Sequence, residues 1–438
     1  MNLPEAFEQR IRADFGPEAD AFLSALERDP QTSIRLNPRK GRLPWEGRNI
    51  PWVTNGYWLP ERPVFALDPL FHAGSYYVQE ASSMFLEQAF QQLVLPAHPL
   101  ILDLCAAPGG KSTHLLSLLD GKGLLVSNEV IKSRNAILRE NIIKWGYHNV
   151  VVTQNNPADF QRSSVRFDAV VVDAPCSGEG MFRKDKASRD EWSPDHVNLC
   201  SLRQHRILAD IWPMVKPGGY LIYSTCAFNR WENEDQVMKL VDEGGAELIS
   251  WDQADETIIH RNPGFAFYPH RTDSEGFFLA VLQKRGQLED REPKRSSIRP
   301  VKNPMWIELM QDEIGTAIDW RENVHFVPAD ALDVLEDLNR WMFVTHVGTV
   351  LGQEIRNKPQ FDHGFAMSVL RRDDAIETME LTHDDALNFL RKQVSDKSGK
   401  TSKWVLATYK GIGLGLLKDA GNRWNNYYPT NYRLRMGS

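Results

Sequence analysis

Between residues 99 and 285, short apolar runs alternate with stretches of helical periodicity. "LILDLCA" marks a strand over 99–106, and "GKSTHLLSLL" opens a helix. "GLLVSNE" is a strand over 123–129, followed by the helix "KSRNAILRENIIKWG". "NVVVTQ" and "FDAVVVDAP" are strands, "LCSLRQHRILADIWPMV" a helix, "GGYLIYSTC" a strand, "NEDQVMKLVDEGG" a helix and "GFFLAVLQK" a last strand. The strands are near-continuous Val, Ile and Leu, as strands buried on both faces are. Their alternation with helices predicts a parallel, doubly wound α/β sheet covered on both sides.

The flanks are patterned differently. Residues 1–30 read as two short helices split by Gly16-Pro17, and "TSIRLNPRK", 32–40, as a short strand and turn. A stretch rich in Pro, Trp and Gly runs to about residue 70, and "YYVQEASSMFLEQAFQQL", 76–93, runs into a helix. After the sheet comes a charged link, "KRGQLEDREPKRSSIRP". Residues 303–345 read helical, and 346–438 read mixed, with short strands such as "SKWVLATYK". The expected organisation is a lead-in region over 1–98, an α/β domain over 99–285, a linker and helical segment over 286–345, and a C-terminal module over 346–438. A chain of 438 residues is too long for one core, which agrees with several units.

Composition narrows the class. Hydrophobic residues make up 42% and charged residues 25%, the balance of a globular protein, and no apolar run reaches the length of a membrane span. The N-terminal "MNLPEAFEQRIRADFG" is acidic and amphipathic, unlike a signal peptide. Of the four cysteines, Cys105, Cys176, Cys200 and Cys226, none forms a CxxC pair or a zinc spacing. No metal is expected, and a reducing, cytoplasmic location is. The net charge of −7 argues against a nucleic-acid partner, but its distribution reverses that. Residues 387–438 hold ten Lys or Arg against two Asp or Glu, a net +8, whereas 305–386 hold six against seventeen, a net −11. A solvated basic tail is the plain alternative. Against it, "NRWNNYYPTNYRLRM" interleaves Trp424, Tyr427, Tyr428 and Tyr432 with Arg423, Arg433 and Arg435, a mixture that stacks bases and pairs phosphates.

"DLCAAPGGKST", 103–113, lies between the first strand and first helix, where a doubly wound sheet binds a nucleotide or a similar cofactor. Its ending imitates the phosphate loop GxxxxGK[ST], but the first glycine of that pattern falls on Cys105, and Pro108 stiffens the turn. The GxGxxG of dinucleotide enzymes is absent. Glu129 ends the second strand about 20 residues beyond the glycines, where a carboxylate holds ribose hydroxyls. The next two strands end near Asn156 and at Asp173. This set fits S-adenosyl-L-methionine better than NAD, because no pyrophosphate fingerprint is present.

Cys176 and Cys226 each follow the carboxyl end of a strand. One thiol there is ordinary packing, since unpaired cysteine is often a small buried hydrophobe. Two, beside a methyl-donor site and Asp173, point to covalent catalysis. C5 of cytosine is a poor nucleophile until a thiolate adds to C6 and makes C5 enamine-like. A second group must then help remove the C5 proton so that the thiol can leave. Asp173 can bond the N3/N4 edge of the ring. Either cysteine can be the attacking one on these grounds.

"DLCAAPGGKSTHLL", "DAPCSGEGMFRKD", "YSTCAFNRWENE" and "DSEGFFLAVLQK" resemble the motifs of the Nol/Nop/Sun family of RNA 5-methylcytosine methyltransferases, and "TSIRLNPRK" and "GSYYVQEASSM" resemble its N-terminal elements. The likeness is continuous over about 32–285, and the layout is similar to the bacterial branch that modifies small-subunit (16S) ribosomal RNA. The resemblance implies a Rossmann-like methyltransferase sheet with an N-terminal α+β extension and a C-terminal PUA-like α+β or β-barrel module. It implies Cys226 as the nucleophile, Cys176 as the residue assisting product release, and Asp173 beside them. The cofactor contacts it implies are Cys105, Ala106, Ala107, Pro108, Gly109, Gly110, Lys111, Glu129, Asn156 and Asp173. The family usually has Asp where this chain has Asn156, whose side-chain oxygen can still accept a bond from the adenine amine. Arg183 and Lys184 are expected either at RNA phosphate or as a surface pair, and Arg35 either near RNA or in an ion pair. Cys200 and His114 are expected in the core. The partner implied is ribosomal RNA or the small subunit, and a monomer is expected. A transfer-RNA substrate, or a non-catalytic ribosome-assembly factor on the same scaffold, are the other readings.

Overall fold

The computed structural model describes residues 3–41, 44–253, 255–292, 294–311, 315–356, 358–393, 403–421 and 423–436. Its centre is a ten-stranded sheet built from β1 (Leu100–Asp103), β2 (Leu124–Asn128), β3 (Val150–Thr153), β4 (Phe167–Asp173), β5 (Val215–Thr225), β6 (Ala246–Ile249), β7 (Ile259–His260), β8 (Phe265–Phe267), β9 (Phe277–Lys284) and β10 (Val344–Val347). The order is β7-β8-β9-β5-β4-β1-β2-β3-β10, with β6 also paired to β9. Successive side chains point to opposite faces, so each strand feeds two cores. Leu100, Leu102, Val170 and Val172 enter one, and Ile101, Ala169 and Val171 enter the other. Helices α1 (Gly110–Leu119), α2 (Lys132–Trp145), α3 (Pro194–Ile211) and α4 (Glu234–Asp242) complete the alternation. Helix α3 starts where the pattern Ser193-Pro194 places it: Ser193 accepts the His196 N–H, and Pro194 occupies the first turn.

The sheet is mixed, which corrects the all-parallel expectation. β1, β2, β3, β4 and β5 run parallel. β9 runs antiparallel to β5, and β10 antiparallel to β3. The apolar pattern reports burial on two faces and carries no information on direction. β9 is buried from Phe277 to Leu282 and reads like its parallel neighbours.

The segment 303–345 is also corrected, because only part of it is helical. Gly315–Trp320 and Asn323–Pro328 form an antiparallel hairpin. Its two-residue turn puts Arg321 at φ 56° without the Gly or Asn that usually signals such a turn. The helix Leu332–Trp341 follows. Leu335, Leu338, Val344 and Val347 are buried in a core of the central sheet. The hairpin shares a four-stranded sheet with Thr349–Ile355 and Lys358–Phe361, so strands pair across residue 345.

At the N-terminus, helices Glu5–Phe15 and Ala19–Ala25 pack on the loops that follow β4 and β5: the rings of Phe7 and Phe182, and of Phe22 and Phe228, lie 4.9 Å apart. A small sheet of Ser33–Leu36, Arg48–Asn49, Gly56–Trp58 and Tyr76–Val78 follows. At the C-terminus, Glu377–Glu380, Trp404–Tyr409, Ile412–Asp419 and Trp424–Asn426 form another sheet, with helix His383–Leu390 on its core.

Candidate active site

β4 and β5 are adjacent and parallel, and Asp173 stands in register with Ser224. Cys176 and Cys226 follow these ends by a few residues, so the register brings their loops together. The two sulfurs lie 3.0 Å apart, and neither is in a disulfide. Gly180 makes the approach possible. Its N–H donates to the Cys226 carbonyl at 2.7 Å, and a Cβ at this position would sit 2.6 Å from that oxygen. The hydrogen bond between the thiols, reinforced by burial, pushes Cys176 well above the ordinary thiol range. Either sulfur can donate in this pair, and the raised Cys176 favours the protonated thiol there.

Two buried carboxylates hold the loops. Glu232 accepts from the Ser177 N–H (2.9 Å), the Ser177 hydroxyl, Gln204 Nε2 (2.8 Å) and Asn229 Nδ2 (2.7 Å). Glu179 accepts from the Phe228 N–H (2.7 Å), Trp192 Nε1 (3.0 Å), Asn229 Nδ2 (3.1 Å) and Arg10 of the first helix (2.8 Å). Burial, its largest cause, raises the Glu232 carboxyl. Both residues stand inside the motifs read from the sequence, but their role as struts was missed. Residue type does not say that a glutamate is buried.

Asp173 takes a bond from the Ser224 hydroxyl (2.8 Å) on one oxygen and from Lys111 Nζ (2.8 Å) on the other. The same ammonium stands over the Phe277 ring at 4.9 Å. Lys111 comes from the first turn of α1, so the glycine loop and the thiol loops share one ion pair. The loop turns at Gly109, whose φ of 114° favours glycine, and the Ala106 N–H donates to the Asn128 carbonyl at 2.8 Å. Asp103 lies beneath it. One of its oxygens takes the Ser112 hydroxyl at 2.6 Å, and the other is buried without a hydrogen-bond partner among the described residues. Burial pushes its carboxyl up to about 7, and burial likewise pushes the Cys105 thiol up.

Glu129, at the end of β2, is buried and accepts the Ile131 N–H at 2.9 Å. Arg134 ties it to the loop, standing 3.6 Å from its carboxylate and donating to the Ala107 carbonyl at 2.8 Å. Asn156 is exposed at the start of a short turn after β3, and its N–H donates to Asp159 at 3.0 Å. Cys226 and Cys176 are thus in contact with each other, Asp173 and Lys111 form an ion pair at the end of β4, and Glu129 and Asn156 stand at the next two strand ends.

Other expected residues fall elsewhere. Arg183 is neither at the surface nor free for RNA. It forms a buried two-bond pair with Glu275 (2.8 and 3.0 Å), and Lys184 stands 3.7 Å from the same carboxylate. Arg35 is buried and has no surface role. It bonds Gln79 (2.8 Å), Thr113 (2.7 Å) and the Gly110 carbonyl (3.2 Å), with its guanidinium 4.7 Å from the Trp145 ring. It pins the N-terminal extension to the first turn of α1. His114 is in the core and bonds Glu87 at 3.1 Å; burial pushes it down to about 4, so it is neutral. Cys200 is buried in α3. Among the described residues no cluster of metal-ligating side chains occurs, and no helix is long and apolar enough to cross a membrane.

Three family models match the chain: 16S rRNA methyltransferase RsmB/F over residues 91–283, the N-terminal domain of 16S rRNA methyltransferase RsmF over 3–81, and the methyltransferase RsmF PUA domain over 376–434. The ribosomal RNA small subunit methyltransferase F of Enterobacter sp. (strain 638) is 30% identical over 451 residues, covering 94% of this chain and 91% of that relative. The chain belongs to the RsmF methyltransferase family. The protein of the same name from Escherichia coli O9:H4 (strain HS) is 29% identical over 97% of this chain and 95% of its own length. Among solved structures, a methyltransferase homolog protein from Pyrococcus horikoshii is similar with a TM-score of 0.56 and 26% identity, over 64% of this chain and 95% of that one. NSun6 from Pyrococcus horikoshii, solved with SFG, matches at a TM-score of 0.55 and 21% identity over 65% and 99%, a likeness of fold. The Rossmann-like methyltransferase sheet, the N-terminal domain and the C-terminal PUA-like module of the RsmF family are therefore all present in this chain.

Proposed function

We propose that this chain transfers a methyl group from S-adenosyl-L-methionine to C5 of cytosine in small-subunit ribosomal RNA, through a covalent bond between Cys226 and C6. The observation that carries the reading is the pair of thiols 3.0 Å apart at neighbouring strand ends, with Asp173 beside them. The names of the family and of its relatives support the methyltransferase class and the RNA substrate.

The residues fit the cofactor. A glycine turn at φ 114°, a buried unpartnered oxygen on Asp103, a carboxylate at the end of β2 and an exposed amide after β3 supply the donors and acceptors that an amino-acid moiety, a ribose and an adenine require. In this reading the loop from Cys105 through Ala106, Ala107, Pro108, Gly109 and Gly110 to Lys111 holds the amino-acid moiety, Glu129 the ribose hydroxyls and Asn156 the adenine amine. When bound, the cofactor supplies an electrophilic methyl group.

Cys226 attacks C6 as the thiolate, and the C5=C6 electron pair becomes available at C5. The N–H of Cys226's neighbour loop at Gly180 fixes the backbone of the nucleophile, and Asp173, oriented by Ser224 and Lys111, accepts from the exocyclic amine of the base. Carbon 5 would then take the methyl group as the bond between that group and the donor's sulfur breaks, its electron pair staying on the sulfur. For release the C5 proton passes to solvent water, the C5–H electron pair re-forms the C5=C6 bond, and the Cys226–C6 bond breaks with its pair returning to sulfur. Cys176 retains its proton beside that sulfur and stabilises the departing thiolate.

The test is a covalent trap. Cys176→Ala, mixed with S-adenosylmethionine and small-subunit RNA, is expected to give a protein–RNA adduct on a denaturing gel. Cys226→Ala and the double variant are expected to give none. An adduct from Cys226→Ala alone would reverse the two roles. No adduct in any variant, with RNA bound and wild type inactive on ribosomal and transfer RNA, would refute the catalytic reading.

A further inference from the structure

The N-terminal extension and the C-terminal module meet around a cleft of about 320 Å³ that none of the chemistry above uses. One wall is the turn after Ser33–Leu36, which carries Arg39 and Lys40. The other carries Arg371 and the hairpin turn bearing Lys410. Asp373 is the one carboxylate among the described residues of the lining. Arg39 is neutralised by Asp120 at 2.7 Å. No ion pair to a carboxylate is formed by Lys40, Arg371 or Lys410 among the described residues.

Each of the three cations has a distinct setting. Lys40 donates to the carbonyls of Lys144 (2.6 Å) and Ala73 (3.2 Å), so its ammonium caps the negative end of α2. Arg371 donates through Nη1 to the Ala366 carbonyl (2.9 Å), while its Nε is buried without a partner. Lys410 is exposed on its turn, its ammonium 5.5 Å from the Tyr409 ring, and Glu380 accepts the adjacent Gly411 N–H at 3.2 Å. Burial, followed by the charges of Arg371 and Lys144, pushes Lys40 down to about 7. Like charges gathered in a half-buried cleft repel one another and lose hydration, and a bound anion relieves both.

We propose that this cleft is a phosphate site that holds a backbone phosphate of the RNA substrate through Arg371 and Lys410, with Lys40 adding its charge. The inference rests on the reading of the chain as an RNA methyltransferase. RNA fits better than a protein partner because the lining is polar, cationic and narrow, with the half-buried Arg371 guanidinium on one wall and the exposed Lys410 ammonium beside it. Helix α1 runs ten residues from the glycine loop toward Asp120, which places the Arg39 edge of the cleft about 15 Å along that helix from the loop. A phosphate gripped there anchors the RNA away from the reacting base. It changes KM and leaves kcat at saturating RNA alone.

The experiment uses the full chain. Binding of small-subunit RNA is measured as a function of salt for wild type and for Arg371→Gln/Lys410→Gln, with methyl transfer followed in parallel. The double variant is expected to lose about tenfold in affinity near 0.1 M salt, with the slope of log K against log salt reduced by about one to two. Its kcat is expected to stay within about twofold of wild type while KM rises. Arg206→Gln/Arg285→Gln, two exposed positions elsewhere, is expected to leave the slope unchanged. Wild-type affinity and slope in Arg371→Gln/Lys410→Gln, with wild type active, would overturn the phosphate site and leave the methyltransferase reading intact. Inactive wild type would overturn that reading instead. If inorganic phosphate raises the melting temperature of wild type but not of the double variant while RNA affinity is equal, the site takes free phosphate and the RNA assignment fails. Should the double variant fail to fold, Lys410→Glu alone decides: it removes no buried bond and is still expected to weaken RNA binding.

Discussion

Replacing Glu232 with alanine removes the group that joins the two cysteine loops. Four donors converge on this buried carboxylate, from Ser177 (twice), Gln204 and Asn229. Gln204 keeps the Pro175 carbonyl at 3.0 Å, and Asn229 keeps Glu179 at 3.1 Å. The alanine variant therefore orphans the Ser177 N–H and hydroxyl and weakens two further bonds. At about 1–3 kcal/mol per buried unsatisfied group, the expected cost is roughly 2–6 kcal/mol. Glutamine behaves differently. Its oxygen can still serve the Ser177 N–H and Gln204, its amide can donate to the Ser177 hydroxyl, and only the Asn229 bond is lost. That costs about 0.5–1.5 kcal/mol, partly offset because a neutral amide is easier to bury than a carboxylate. The assay is the urea midpoint at pH 7.5 converted with the wild-type slope, with methyl transfer measured alongside. Transfer is expected to fall at least tenfold in Glu232→Ala, about 1.4 kcal/mol or more in transition-state terms, and to survive in Glu232→Gln. The reasoning is refuted if alanine costs under about 1 kcal/mol, or if glutamine costs as much as alanine.

Burial pushes four histidines down from 6.5, His72 and His114 to about 4 and His346 and His363 to about 3. The unfolded chain takes up these protons at 6.5 and the folded chain does not, so stability is full above that pH and is lost as pH falls from 6.5 toward 4. Each histidine contributes at most about 1.4 kcal/mol per pH unit. Asp103, raised to about 7, acts with the opposite sign, favouring the fold at low pH and losing that effect as pH rises from 3.8 to 7. Four groups outweigh one, so the urea midpoint is expected to be lower at pH 5 than at pH 7.5; an unchanged midpoint contradicts this. Arg183→Ala leaves the buried Glu275 carboxylate with only Lys184 at 3.7 Å, at a cost of about 3 kcal/mol, and Arg183→Ala/Glu275→Gln is expected to recover most of it in the same unfolding assay. Asn156→Asp replaces a neutral acceptor with a charged one, a gain of about 1 kcal/mol, so calorimetry with S-adenosylhomocysteine is expected to give roughly fivefold tighter binding.

The catalytic sheet was legible because strands buried on both faces and amphipathic helices write different periods into the chain, and both cysteine motifs end such strands. The N-terminal helices were equally legible from Gly16-Pro17 and their spacing. The hairpin at 315–328 was not, because its turn at Arg321 lacks the residues that signal a positive φ. Arg183 is expected at RNA or in a surface pair, and Arg35 near RNA or in an ion pair, because a charged residue is usually solvated or paired with an opposite charge. Here Glu275 and the Trp145 ring with neutral acceptors made burial possible.

What the sequence by itself determined is local: the order of strands and helices, the glycine turn, and the residue types at the strand ends. These follow from steric and hydrophobic preferences within a few residues of each position. What only the tertiary structure decided is relational. The direction of β9, the inclusion of residues 335–347 in the central core, the 3.0 Å approach of Cys176 to Cys226 and the two buried glutamates that brace them all depend on which distant segments pack together. Burial and register are properties of pairs of segments, and no single stretch of chain carries them.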